Sequence, residues 1–185
     1  MGERNFMIDV LLCGDAADAS IADALVPALS LCGGLCRSGG GSVDDCGGRV
    51  KYFLFESAEV PKIGMKSGIL VFKSRLGEAI PAKVPEGFVC VFGSQNTRAA
   101  DILRGSPATV VTFGTGPKDT LSLAGLDTAA ACVSLQRNVA TLKGKLLEPH
   151  DFSVGLNGKR SPEQVLAVSA VLLLSGEDSE SGYRI

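Results

Sequence analysis

The sequence predicts an α/β fold: a mostly parallel sheet with helices on both faces, followed by an antiparallel, hairpin-rich part. Three observations carry the prediction. Five short, near-continuous apolar runs (MIDVLLCG, KYFLFESA, SGILVFKS, GFVCVFGS and ATVVTFGTG) occupy the stretch before Gly116; strands covered on both faces read this way. Helical or connecting segments separate them, as parallel pairing requires. After Gly116 the runs shorten and alternate, which is the pattern of antiparallel hairpins.

Taken in order, MIDVLLCG is the first strand and SIADALVPALSLCGG the first helix. Ile21, Ala24, Leu25, Ala28 and Leu29 stand at helical spacing, with Ser20 or Asp18 as N-cap. Pro27 falls inside this pattern and predicts a kink or a later start. Residues 33–48 hold seven glycines with Ser and Asp among them and predict a flexible loop. KYFLFESA, SGILVFKS and GFVCVFGS supply three strands, NTRAADILRG a short helix with a Gly stop, and ATVVTFGTG a fifth strand. Arg98 and Arg104 with Asp101 read as a solvated helix face. Residues 117–156 (LSLAGL, ACVSLQRNV, TLKGKLLEP, DFSVGL) form the hairpin-rich part, which extends the sheet edge or makes a small subsheet. SPEQVLAVSAVLLLSG is a helix with Ser161 as N-cap, Pro162 at the first helical position and Gly176 at the stop. Residues 177–185 read as a polar, frayed tail.

A length of 185 residues implies one domain, residues 1–176, with a core that needs no metal or disulfide to fold. Eighteen Lys and Arg against twenty Asp and Glu give a net charge of −2, which excludes a global field for nucleic acid or an anionic membrane. The apolar run AVLLL is too short to span a bilayer, and MGERNFMIDV lacks the apolar core of a secretory signal. The expected location is the cytoplasm. Of six cysteines, Cys13, Cys90 and Cys132 sit in apolar runs as small hydrophobes. Cys32, Cys36 and Cys46 match no zinc-ligand spacing and read as unpaired thiols, with a redox or metal switch as the sharper alternative.

The order of elements, with GFVCVFGSQNTRAADILRGSPATVVTFGTG laid out as strand, short helix and strand ending in TFG, and DFSVGLNGKRSPEQVLAVSAVLLLSG in the rhythm F-x-V-x-L before a helix, resembles the central, ATP-binding domain of the Mur ligases and folylpolyglutamate synthetases. The resemblance implies a P-loop-type, Rossmann-like sheet. It also implies a nucleotide loop at GDAADAS and a metal-holding glutamate where YFLFES ends in Glu56. In 185 residues there is no room for the flanking domains, so the expectation is a single-domain relative.

A P-loop works because glycines let backbone N–H groups approach the phosphates, a lysine neutralises their charge and a hydroxyl holds magnesium. Against the family form G-x-x-G-K-[ST], the first glycine is Gly14, the second is Ala17, the lysine is Asp18 and the hydroxyl position is Ala19, with Ser20 just beyond. Asp15 and Asp18 therefore repel a triphosphate, opposed by a helix dipole worth about 0.3–1 kcal/mol. Arg160, Ser161 and Gln164 stand where the family's base-contacting residues would be. Lys83 lies where an activated family lysine would be sought, without further support. His150, the sole histidine, is set between acids, and reads as a surface residue rather than half of a Ser-His or Cys-His pair.

These readings predict a non-catalytic relative that has lost ATP binding, a pseudoenzyme serving as a binding or scaffold protein for a protein or small-molecule partner, with no cofactor and no metal. The alternative is a small-molecule- or cation-binding protein or enzyme using the crevice at the C-terminal ends of the parallel strands. Gly14, Asp15, Asp18, Ser20, Glu56, Ser94 and Asn96 are its candidate lining.

Overall fold

The computed structural model describes residues 7–39, 42–43, 50–78 and 80–185. Chain order runs β1 (Ile8–Cys13), α1 (Ser20–Gly33), β2 (Leu35–Gly39), β3 (Ser42–Val43), β4 (Tyr52–Ser57), β5 (Ser67–Phe72), β6 (Gly87–Gly93), α2 (Thr97–Ile102) and β7 (Thr109–Phe113). There follow β8 (Leu121–Leu126), β9 (Ala130–Leu135), β10 (Val139–Ala140), β11 (Leu146–Leu147), β12 (His150–Gly155), α3 (Pro162–Ser175) and β13 (Tyr183–Arg184).

Among the described residues, eleven strands form one sheet in the order β13-β12-β9-β8-β7-β6-β5-β1-β4-β2-β3, and β10 with β11 makes a separate two-stranded piece. The block from β2 to β7 is parallel. β8 joins β7 in parallel, and the β8–β9 and β9–β12 pairings that follow are antiparallel, so the hairpin-rich part both extends the edge and adds a subsheet.

Alternation within each strand sends side chains to two cores, as the period of two requires. Ile8, Val10 and Leu12 of β1, with Val71 and Val91, pack under α1 and α3. Leu11, Cys13, Leu70, Phe72 and Phe92 face the other way and meet Ala99, Ile102 and Leu103 of α2. Helices thus cover both faces. Residues 165–175 of α3 are all buried, and each Val or Leu there contributes about 1.5–3 kcal/mol relative to exposure. This helix is the keystone of the larger core.

The ends of α3 follow the sequence signal closely. Ser161 accepts from the Gln164 N–H, the Gln164 side chain returns the bond, Pro162 opens the helix and Gly176 closes it at φ +80°. α1 differs from expectation at both signals: its N-cap is Ala19 with no side-chain bond, and it runs on through Pro27. Asp18 instead accepts from the Ser20 N–H and hydroxyl.

Three further expectations are corrected. Leu35–Gly39, placed in the glycine-rich loop, is a strand pairing in parallel with β4, because Leu35 packs against the core and pulls the segment into register; residues 40–41 and 44–49 lie outside the described set. Cys36, expected as an unpaired thiol, is disulfide-bonded; Cys13, Cys32, Cys90 and Cys132 are free, and Cys46 lies outside the described residues. The tail is not frayed: Tyr183 and Arg184 pair with Val154 and Gly155, and Tyr183 and Ile185 are buried. Two apolar side chains among polar ones suffice to dock it. No helix among the described residues is long and apolar enough to cross a membrane.

Candidate functional site

β1 lies between β5 and β4, so the chain's order reverses around it and the strand ends on its two sides open a crevice. Gly14 follows β1, Glu56 ends β4, Arg37 projects from β2, and Lys73 is the first residue after β5. They line one small cavity of about 220 Å³ with Ala16, Gly39, Ser57 and Ala58.

Lys73 is the centre of this arrangement. Its side chain is 1% exposed. Its Nζ donates to the Asp15 backbone carbonyl at 3.1 Å and to Glu56 Oε2 at 3.4 Å. Glu56 Oε1 also accepts from Arg37, at 2.9 Å from Nε and 2.5 Å from Nη2. The backbone carbonyl of Lys73 accepts from Asn96 Nδ2 at 3.0 Å, while Asn96 Oδ1 caps α2 through the Ala99 N–H. One cation therefore ties together the ends of β5, β1 and β4, and its backbone holds α2.

The loop 14–20 is bonded to itself and to its neighbours. Gly14 N–H donates to the Ser57 carbonyl and Asp15 N–H to that of Arg75. Ala17 N–H donates to the Asp15 carboxylate, Asp18 N–H to the Asp15 carbonyl, and Ser20 N–H to the Asp18 carboxylate. The Ser20 hydroxyl, and lesser contributions from its amide and from Lys73 and Arg75, hold the Asp18 carboxyl below the usual carboxylate range. Gly14 sits at φ +144°, and a Cβ there would lie 2.6 Å from Lys73 Cβ and 2.7 Å from the Arg75 carbonyl. Only glycine lets the loop pass over this lysine.

The residues selected from sequence divide between two cavities. Gly14 and Glu56 line the small crevice, with Asp15 bonded to its lysine. Asp18 and Ser20 bond each other at the mouth of α1. Ser94 and Asn96 line a different cavity, about 470 Å³, with Phe113, Gly114, Glu163 and Leu166 beneath the start of α3. There Ser74 donates its hydroxyl to Glu163, and Gln164 Nε2 donates to the Ser20 carbonyl at 2.7 Å, joining the starts of α3 and α1. A third cavity of about 430 Å³, floored by Cys13 and Phe72, opens between residues 58–63 on one side and 76–78 with 80–83 on the other, and includes Lys83 in its lining. Arg98, assigned to a solvated face, reaches the Leu76 carbonyl at 2.6 Å. Arg104 and Asp101 do form the exposed pair expected of such a face, at 2.6 Å.

Sequence reasoning missed Lys73 and Arg37. The signal for Lys73 was present: a lysine ending a wholly apolar, strand-length run must bury its stem, and a buried ammonium demands partners. Nothing local marked Arg37, because its role comes from β2 joining β4. Among the described residues no group of three His, Cys, Asp or Glu side chains could hold a metal ion.

No family model matches the sequence, and no curated protein matches it in sequence. Solved structures do match in fold. The MurF of Acinetobacter baumannii is 13% identical with a TM-score of 0.58, over 94% of this chain and 44% of that one. The UDP-N-acetylmuramate:L-alanyl-gamma-D-glutamyl-meso-diaminopimelate ligase of Neisseria meningitides gives 16% and 0.60, over 95% and 64%. The MurF ligase of Thermotoga maritima, solved in complex with ADP, gives 14% and 0.56, over 95% and 47%. The chain spans about half the length of the structures it matches, as a central-domain-like portion would. It has the α/β fold found in the Mur ligases.

Proposed function

We propose that the chain is a binding domain of Mur-ligase-like fold that takes up no nucleotide and carries out no ATP-dependent ligation, serving to hold a protein or small-molecule partner. The observation that supports this reading is the internal satisfaction of the loop 14–20. The carboxylates of Asp15 and Asp18 accept the amides that an anion would need, and Lys73 is spent on Asp15 and Glu56. Glu56, bonded to two cations, has little to offer Mg²⁺. Ser161 and the Gln164 amide oxygen are taken by the capping box of α3, and Gln164 Nε2 by the Ser20 carbonyl. The crevice volume of about 220 Å³ falls below the roughly 300–1,000 Å³ of small-molecule sites. Bringing phosphates in would require breaking the Lys73 contacts and bringing them against two carboxylates.

The test is thermal denaturation of the full chain with ATP or ADP and Mg²⁺. A ligand at a hundred times its Kd adds about 2.7 kcal/mol, which moves Tm by about 5–10 °C in a chain of this size. No shift at millimolar nucleotide is expected. A saturable shift of that order would end the reading.

One observation favours small-molecule binding at the strand ends as a second reading. The cavity between residues 58–63 and residues 76–78 with 80–83 has an apolar floor and Glu59, Lys62, Glu78 and Lys83 at its lining, and its volume of about 430 Å³ suits a small ligand. Fragment screening by protein-observed NMR would decide it, through shifts confined to these residues.

A further inference from the structure

The one histidine of the chain is held in an orientation that surface residues do not need. His150, at the start of β12, places Nδ1 2.7 Å from the Glu148 carbonyl. A carbonyl only accepts, so Nδ1 carries the proton and, in the neutral ring, Nε2 is left with its lone pair. Nε2 lies 2.8 Å from Ser179 Oγ, and the serine hydroxyl donates to it. The ring packs on Phe152 with centroids 5.6 Å apart.

Ser179 is held as firmly. It sits in the turn after α3, where Asp178 accepts from the Glu180 N–H at 3.1 Å and from the Ser181 hydroxyl at 2.9 Å, and the Ser179 carbonyl accepts from the Gly182 N–H at 3.1 Å. Docking of β13 on β12 fixes the far end of that turn. Both side chains line a cavity of about 880 Å³ between β12 and the turn. Hydroxyl, base and orienting acceptor stand in the relationship that activates a serine nucleophile, with a carbonyl in the third place instead of a carboxylate. The site lies away from the Lys73 crevice, at the other end of α3.

We propose that Ser179 and His150 are a nucleophile and general base that hydrolyse carboxylic esters bearing a positive charge. Ser179 Oγ bonds to the acyl carbon while its proton passes to His150 Nε2. The C–O bond to the alcohol then breaks, and the leaving oxygen takes that proton. Water repeats the sequence on the acyl-serine: one proton goes to Nε2, the C–Oγ bond breaks, the acid leaves and Oγ recovers its proton. The charge preference follows from the lining. Glu148, Asp151, Glu177, Asp178 and Glu180 face one lysine, Lys145; Glu177 is already paired with Lys51, and the remainder still favours a cation.

The test treats the full chain with a fluorophosphonate probe and maps the adduct by peptide mass spectrometry. It is paired with hydrolysis of lysine p-nitrophenyl ester and p-nitrophenyl hemisuccinate. The expected results are one adduct per chain, on Ser179, its loss in S179A, and at least tenfold slower labelling in H150Q. kcat/KM should be at least tenfold higher for the cationic ester than for the anionic one. A wild-type chain that takes no label, or takes it on another serine, overturns the assignment whether or not the variants fold. S179A that folds and hydrolyses both esters at the wild-type rate overturns it as well, and equal rates on the two esters overturn the charge preference.

Discussion

Lys73 Nζ donates to the backbone carbonyl of Asp15 at 3.1 Å, so the residue closing β5 supports the loop that follows β1. A lysine does stand beneath this loop, but it arrives from a neighbouring strand and its charge is answered from within by Glu56. The glycine at the start of the loop follows from the same crossing, since a Cβ at Gly14 would meet Lys73 Cβ at 2.6 Å.

Replacing Lys73 with methionine keeps the stem volume and removes the ammonium. The Asp15 carbonyl loses its donor, and Glu56 keeps Arg37 alone. A loss of about 1–3 kcal/mol is expected for the abandoned acceptor, below the cost of stranding a wholly unpaired buried charge. Urea denaturation of K73M measures it, and an unchanged midpoint would show that the pair contributes nothing net.

Asp18 predicts an acid-side dependence. Its carboxyl is held down chiefly by the Ser20 hydroxyl. A folded pKa below the unfolded value adds stability that is complete above the unfolded value, near 3.9, and is lost as pH falls through the folded one. D18N keeps an acceptor oxygen and drops the charge. Its stability deficit against wild type is expected at pH 7 and should shrink below about pH 4. A deficit of the same size at pH 3 and pH 7 would assign the effect to geometry instead.

The ends of α3 give the most local prediction. S161A removes a capping box and should cost about 1 kcal/mol. G176A forces φ +80° on a residue with a Cβ and should cost a similar amount. Their effects should add in a double variant, since the sites are about four turns apart; strong coupling would mean that the helix frays as one unit.

Cysteine labelling separates buried from accessible thiols. Burial pushes Cys13 and Cys90 up to about 12 and raises Cys32. At pH 8, folded chain should therefore leave Cys13 and Cys90 unmodified by iodoacetamide for as long as the fold persists, while denatured chain modifies both quickly. Fast modification of Cys90 in the native state would place β6 outside the core.

The sequence by itself determined what depends on local pattern. Five apolar runs became β1, β4, β5, β6 and β7, and Ser161, Pro162 and Gly176 bounded α3, because periodicity and capping are settled within a few residues. Gly14 and Glu56 were legible as one site because each closes a strand of that parallel block. Only the tertiary structure decided which strand ends meet. Leu35–Gly39 entered the sheet despite the glycines on either side of it, carrying Arg37 to Glu56. Tyr183 and Ile185 docked a tail that composition marked as polar, and that docking set Ser179 against His150. Ser94 and Asn96, which follow β6, parted from Asp15 and Asp18 because β5 lies between β6 and β1, with Lys73 at its end filling the gap. A strand's alternation states which face it buries and says nothing about its neighbour. Pairing is chosen by burial summed over the whole sheet, and every contact of Lys73 is a consequence of that choice.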